Sequence, residues 1–328
     1  MTCKSFLPLP LAGEGRGAGK PLWVAFVLLL STLAACGNYS NEDLEYMNAV
    51  PARVDIAAVI PRSLILPANE AELSRLTHDV INAFNGALLF LEAADVIRRY
   101  QPTSRIPHGR VWGPAQMEEH PDWQWRFRIT RDPAAPDVFS YWFEVQRFDG
   151  GDVWISFIEG TFVATGGVRR GTGHFHIGTD GLRAGGFPVD INAKGELLKD
   201  LDVEYSTAEF PIWVKMHMVL YTDAGLGLFK DTVMIDYRHE AQSNGQGAME
   251  FSGTDSKTGW TLSIVSRWMS TGTGRADARA INGAGVDMTR TQCWDDSFRQ
   301  TYDYTPWDQP PDPIEEGRIE DCPDISTL

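Results

Sequence analysis

The sequence predicts an α+β, mainly β protein. One long N-terminal helix should pack on a large curled antiparallel meander sheet or open barrel. Three observations carry this reading. From Trp123 onward, apolar and polar residues alternate with period two, as in strands with one wet face. Turn sequences such as Asp149-Gly150-Gly151, Asn244-Gly245, Thr258-Gly259 and Asn282-Gly283 separate the alternating runs and supply the positive φ of tight hairpins. A single stretch, 69–100, keeps a helical period, and no helical pattern lies between the strands, which disfavours parallel βαβ units.

The chain opens with a leader. Lys20 precedes an apolar run, 22–33, that is too short to span a bilayer comfortably, and small residues follow it. The residues Leu33-Ala34-Ala35-Cys36 resemble the lipobox of bacterial lipoproteins, which reads Leu, a small residue, Ala or Gly, then Cys. The resemblance implies a signal peptide over 1–35, cleavage after Ala35 and a diacylglyceryl thioether on Cys36. The new amino terminus would then carry an acyl chain such as palmitate. Two or more chains give stable anchoring, since each buried methylene contributes about 0.8 kcal/mol. Gly37, where Asp would favour inner-membrane retention, leans sorting toward the outer membrane. The expected place is therefore the cell envelope, lipid-anchored and facing periplasm or cell surface. An uncleaved membrane anchor with an incidental cysteine is the alternative. The stretch 6–19 is long for an n-region, and either a mis-assigned start or a tolerated extension explains it.

The net charge of −15 at pH 7, from 29 basic and 44 acidic side chains, repels nucleic acid and anionic lipid and excludes nucleic acid as a partner. Removing the leader, with Lys4, Arg16 and Lys20 against Glu14, makes the remainder more acidic still. The resemblance implies that, of the 4 cysteines, Cys3 leaves with the leader and Cys36 is acylated; Cys293 and Cys322 then read as a disulfide pair in an oxidising compartment, with two free thiols or a metal-binding pair as the alternatives.

Residues 36–68 read as a lipidated tether and lead-in, with 38–48 polar and Pro51, Pro61 and Pro67 breaking any long helix. The helix-plus-sheet domain spans 69–302. Asn69 can cap the helix, with Glu72 as the return half of a capping box. Leu73, Leu76, Val80, Phe84, Ala87 and Leu91 form its stripe, widened by Ile81 and Leu88, and it should end near Tyr100, before Pro102. Gly86 inside it costs about 1 kcal/mol relative to Ala, for which close packing on the sheet or drift are the candidate reasons. Strands follow over 123–130, 138–147, 153–159, 161–166, 171–178, 198–207, 212–222, 232–240, 247–254, 260–269, 274–282 and 286–294. The tail, 303–328, carries Pro306, Pro310, Pro311 and Pro313 among acidic residues and reads as extended rather than packed, clipped back by Cys322.

The chemistry-bearing signals are weak. His174 and His176 share one strand face and could bind zinc with His217 or Glu119, although histidines on a wet face are usually just solvated. Asp190-x-Asn192-x-Lys194-Gly195 begins like a calcium loop, but Lys194 stands at a ligand position and Leu201 where the bidentate Glu belongs. Gly272-Thr273-Gly274 and Gly283-Ala284-Gly285 lack a P-loop Lys and read as turns. Carboxylate pairs such as Asp295-Asp296 carry no weight in so acidic a chain, and Trp and Tyr are expected in the sheet core rather than in a ligand cage. No metal, cofactor or catalytic residue is assigned.

A helix followed by a large antiparallel sheet is similar in architecture to periplasmic lipoprotein carriers and their outer-membrane lipoprotein receptors, in which a curled, incomplete barrel holds acyl chains. That likeness rests on no motif, and fold alone does not establish function. The expectation is a structural or interaction protein of the envelope without catalysis. Its partners would be the membrane, through the anchor, and an envelope protein or apolar ligand. An apolar-ligand or acyl carrier is the alternative, with a hydrolytic enzyme behind both. An empty apolar face of the sheet would favour the carrier.

Overall fold

The computed structural model describes residues 39–61, 70–88, 91–189, 196–223, 229–306 and 314–324. Antiparallel strands follow one another in chain order, each hydrogen-bonded to the next. They are β1 (Ser104–Ile106), β2 (Gly109–Gln116), β3 (Trp123–Arg131), β4 (Val138–Arg147), β5 (Ile155–Ala164), β6 (Gly171–Gly178) and β7 (Glu196–Ser206). The series continues with β8 (Ile212–Asp223), β9 (Phe229–Ala241), β10 (Gly247–Asp255), β11 (Trp260–Trp268) and β12 (Gly274–Asn282). It ends with β13 (Asp287–Trp294), β14 (Gln300–Thr305) and β15 (Ile314–Gly317). The meander is as expected, but the ladder does not close. β1 and β15 each have one neighbour, so the curled sheet or open barrel gives way to one open sheet.

Alternation sorts the side chains onto two faces. One carries Phe127, Tyr141, Phe175, Val203, Val214 and Ile264, all buried, while the other carries charged and polar residues such as Arg128, Glu159, His176 and Asp236. On the apolar face, large rings lie over glycines of the adjacent strand. Tyr141 faces Gly160, Tyr205 faces Gly173, Trp268 faces Gly247 and Trp294 faces Gly274. A Cβ on Gly173 would meet the Tyr205 ring at 2.4 Å, and one on Gly160 would meet the Tyr141 ring at 2.5 Å. This is why 153–159 and 161–166 are one strand rather than two. Gly160 is the seat of a ring, not a break in the chain.

The apolar face is covered by the chain ahead of β1. Helix α1 (Asn41–Asn48) packs on β2 and β3, α2 (Arg53–Ile56) on β8, and α3 (Glu72–Ala87) on β12 and β13. Tyr46, Val50, Ile56, Leu73, Ile81, Phe84, Leu88, Leu91 and Ile97 from this segment join the sheet residues in one continuous core. α1 is closed by a capping box, with Ser40 Oγ accepting from the Asp43 N–H at 3.0 Å and Asp43 accepting from the Ser40 N–H at 3.1 Å. The tether expected over 38–48 is thus a docked helix from Asn41, and the compact unit runs from Ser40 rather than from residue 69. What docks it is Asp43, which has no exposed surface and meets Arg110 at 2.6 Å and Arg105 at 2.9 Å. Burial alone would raise the Asp43 pKa, but the hydrogen bonds from Arg105 and Arg110 outweigh it and hold the carboxyl well below its usual range. The Arg110 guanidinium also lies over the Tyr46 ring, 4.7 Å from its centroid.

The long helix through Tyr100 is a correction. α3 has 16 residues and stops at Leu88, whose N–H turns back to the Gly86 and Phe84 carbonyls. Two single turns follow, α4 (Leu91–Ala94) and α5 (Val96–Arg99), broken at Asp95. The apolar stripe continues, since Leu91 and Ile97 are buried, but the backbone bends to bring the Arg98 guanidinium to the Val50 carbonyl at 2.6 Å. A Cβ on Gly86 would touch nothing, so close packing does not explain that glycine. Asn69 lies outside the described residues. The N-cap is Ala71, which offers no side-chain cap, and the Gln292 carboxamide of β13 instead accepts the Leu73 N–H at 2.6 Å.

The tail is also reassigned. Residue 303 falls inside β14, and β15 extends the sheet by one more strand. Asp303 points to the covered face, where Arg290 donates to it at 2.6 Å and Gln292 at 2.9 Å. A disulfide joins Cys293 of β13 to Cys322, just past a 3-10 turn (Ile319–Asp321), with Cα atoms 5.4 Å apart.

Two outcomes follow from this packing. Phe84, stacked on Tyr237 with centroids 3.9 Å apart, is a core ring. Phe84→Ala is expected to cost about 3–5 kcal/mol, read from urea unfolding, and a loss near zero would show that α3 does not seal the sheet. Reduction of the Cys293–Cys322 bond is expected to remove roughly 3–4 kcal/mol on the chain-entropy model, lowering Tm and opening the tail to protease while the sheet stays folded. An unchanged Tm under reductant would rule out that contribution.

Candidate functional site

Two features stand out, one on each face. The first is a groove of about 490 Å³ on the wet face of β6 to β11. Strand register sets two rows along it, of which all but His176 line the groove. His176, Asp202, His217 and Asp236 stand opposite one another across four strands, and His174, Glu204, Lys215, Arg238 and Glu250 form the row beside them. Like and unlike charges at opposite positions repel or attract directly, and here nearly every histidine and carboxylate finds its complement. His176 Nδ1 lies 2.9 Å from Asp202, His217 Nδ1 lies 2.7 Å from Asp236, and His174 Nε2 lies 3.5 Å from Asp202.

The candidate zinc set is thus brought together only in part. His174, His176 and His217 share the face, but each is engaged with a carboxylate of a neighbouring strand. Glu119 sits in the β2–β3 turn, beside a different cavity. Among the described residues no group of three or more His, Cys, Asp or Glu is placed to hold a metal ion. The other candidates are structural or undescribed. Gly272 and Gly285 take positive φ in turns. Asp295 accepts from the Ser297 and Arg299 N–H groups and so shapes the β13–β14 connection. The segment 190–195, with Asp190, Asn192 and Lys194, and the residues Leu33 to Cys36 lie outside the described residues.

The second feature is a cleft of about 760 Å³ at the β2–β4 edge of the apolar face. Trp112, Trp125, Phe143, Met117, Pro114 and Tyr100 line it. It exists because β2 is irregular. Register with β3 shifts between Trp112 and Ala115, and Gly113 takes φ +88°, where an added Cβ would sit 2.6 Å from the Trp125 carbonyl oxygen. Trp125 is half-buried and stacks on Phe143 at 5.9 Å, while Trp112 is buried and donates from Nε1 to the Tyr100 carbonyl at 2.8 Å. The sequence reading missed this cleft because β2 itself was missed. Gly109, Gly113 and Pro114 mask its alternation, and the one available signal was Gly113-Pro114 set between Trp112 and Met117.

A third group is inside the protein. His239 is buried on the apolar face, beside Tyr237, and hydrogen-bonds to the Ile56 backbone. Burial pushes its pKa down to about 4, against a smaller opposing effect of the Ile56 contact.

No protein-family model matches the chain, and no curated protein or solved structure matches it. Among the described residues no helix is long and apolar enough to cross a membrane.

The depressed His239 pKa fixes the sign of an acid effect. Above the ordinary histidine pKa the ring is neutral in both states and folding is indifferent to it. As pH falls from about 6.5 toward about 4, the unfolded chain takes up a proton that the folded ring refuses, so stability declines across that window by on the order of 3 kcal/mol. His239→Leu is expected to flatten that part of the stability–pH curve in urea titrations at pH 7, 5 and 4. A variant curve parallel to the parent would contradict the assignment.

Proposed function

We propose that this chain is a lipid-anchored protein of the cell envelope, held at the outer membrane through Cys36, that works by presenting a binding surface rather than by catalysis. The lipobox-like Leu33-Ala34-Ala35-Cys36 supports the anchor. One observation carries the rest. The apolar face of the sheet is filled by residues of the chain itself, from Tyr46 through Ile97, in one continuous core. A carrier that encloses acyl chains needs that face empty, so the surface left for partners is the polar face and the edges.

A second reading is favoured by one feature alone. The cleft at Trp125 lies at the β2–β4 edge of the apolar face, and its aromatic walls suit a small apolar ligand. It opens at the edge of the sheet rather than being enclosed by it, which fits a ligand module better than an acyl carrier.

The anchor has a direct test. Cys36→Ala in the full chain is expected to abolish labelling by radioactive palmitate, leave the leader uncleaved and change membrane fractionation. Unchanged processing and labelling of the Cys36→Ala protein would overturn the anchored reading.

A further inference from the structure

We infer that the Trp112–Trp125–Phe143 cleft is a binding site for a small organic cation with an apolar body, of the quaternary ammonium type. The inference deepens the ligand-binding reading above and rests on it.

The walls supply the first half of the recognition. Trp125 is half-buried and Tyr100 exposed, so both offer ring surface to the cavity, and Phe143 and Trp112 form its buried floor. Aromatic faces carry negative quadrupole potential and attract cations within about 6 Å, more strongly where the site is partly desolvated.

The chain's own cations show the second half by contrast. Elsewhere on the sheet, two half-buried tryptophans and one buried phenylalanine are matched by guanidinium groups. Arg126 lies 4.0 Å from the Trp154 centroid, Arg128 lies 4.3 Å from Trp142, and Arg131 lies 4.8 Å from Phe139. Among the described residues no Arg or Lys lies over Trp112, Trp125, Phe143 or Tyr100, and none lines the cleft. Its charged lining residues are Glu118 and Glu119, neither paired with a cation among the described residues. An aromatic cleft with two unpaired carboxylates at its rim is complementary to positive charge.

The same charges argue against the other apolar ligands. A fatty acid would bring its carboxylate to the rim beside Glu118 and Glu119, where like charges repel. A neutral apolar molecule would bind the walls but leave the rim unused. The volume of about 760 Å³ is within the range of small-ligand sites, and the opening at the sheet edge lets a charged head stay at the rim while the body enters.

The test is isothermal titration calorimetry of the full chain with three probes of nearly equal shape. These are phenyltrimethylammonium, neutral 2-phenyl-2-propanol and anionic 2-methyl-2-phenylpropanoate. The cation is expected to bind about tenfold more tightly than the alcohol, and the carboxylate most weakly. Trp125→Ala is expected to weaken the cation about tenfold. The surface pair Glu118→Gln and Glu119→Gln, which leaves the core untouched, should remove most of the preference over the alcohol. Equal binding of cation and alcohol would overturn this inference while leaving the ligand-binding reading in place. Binding of none of the three would overturn both.

Discussion

An open antiparallel sheet with one apolar face cannot stand in water, and covering that face is the constraint on which the rest of this structure depends. Barrels remove the problem by closing on themselves. This sheet does not close, so the chain ahead of β1 is its lid. The lid has little cohesion of its own. α2 and α5 are single turns, and short helices are marginal without tertiary contacts. It is held to the sheet by long-range polar bonds set at intervals, Asp43 to Arg105 and Arg110, Asp55 to Arg169, and Leu73 to Gln292, and one bond within it joins Arg98 to the Val50 carbonyl. Between these points apolar residues drop into the core. A buried pair such as Asp43–Arg110 contributes little net stability once desolvation is counted, but it fixes where α1 lands.

The lid can lie close because the sheet surface beneath it is smoothed. Placing Tyr141, Tyr205, Trp268 and Trp294 over Gly160, Gly173, Gly247 and Gly274 lets each ring fill the space that a side chain on the neighbouring strand would otherwise take. The arrangement makes those glycines as demanding as any core residue, since a methyl group at Gly173 or Gly274 would overlap a neighbouring ring. It also accounts for the strand bonds being uninterrupted at positions where glycine would ordinarily weaken them.

Much of this was legible from local pattern. Period two from Trp123 onward and the Gly-rich turns expose the meander, because both signals live within ten residues of chain. What was not legible depends on distant partners. Nothing near Leu88 says that the helix must stop there; the bend serves Arg98 and Val50, which are far apart in sequence. Asn41–Asn48 is polar enough to pass for a tether, and only Arg105 and Arg110, beyond residue 100, make Asp43 a buried anchor. β2 was hidden by Gly113 and Pro114, which belong to an irregularity that only pairing with β3 defines. For the same reason the cleft at Trp125 could not be read in advance, whereas the shared face of His174 and His176 could, since it follows from strand periodicity alone.

The two faces then divide the chemistry. On the wet face, charge is balanced across strands, so the row from His176 to Asp236 is largely self-satisfied and presents little unmet potential despite its many ionisable groups. At the edge of the apolar face the situation is reversed. The lid ends at Tyr100, β2 departs from register, and among the described residues no guanidinium lies over the stacked rings of Trp125 and Phe143. Recognition draws on what the fold leaves unsatisfied, and in this protein that is concentrated where the irregular strand meets the end of the lid.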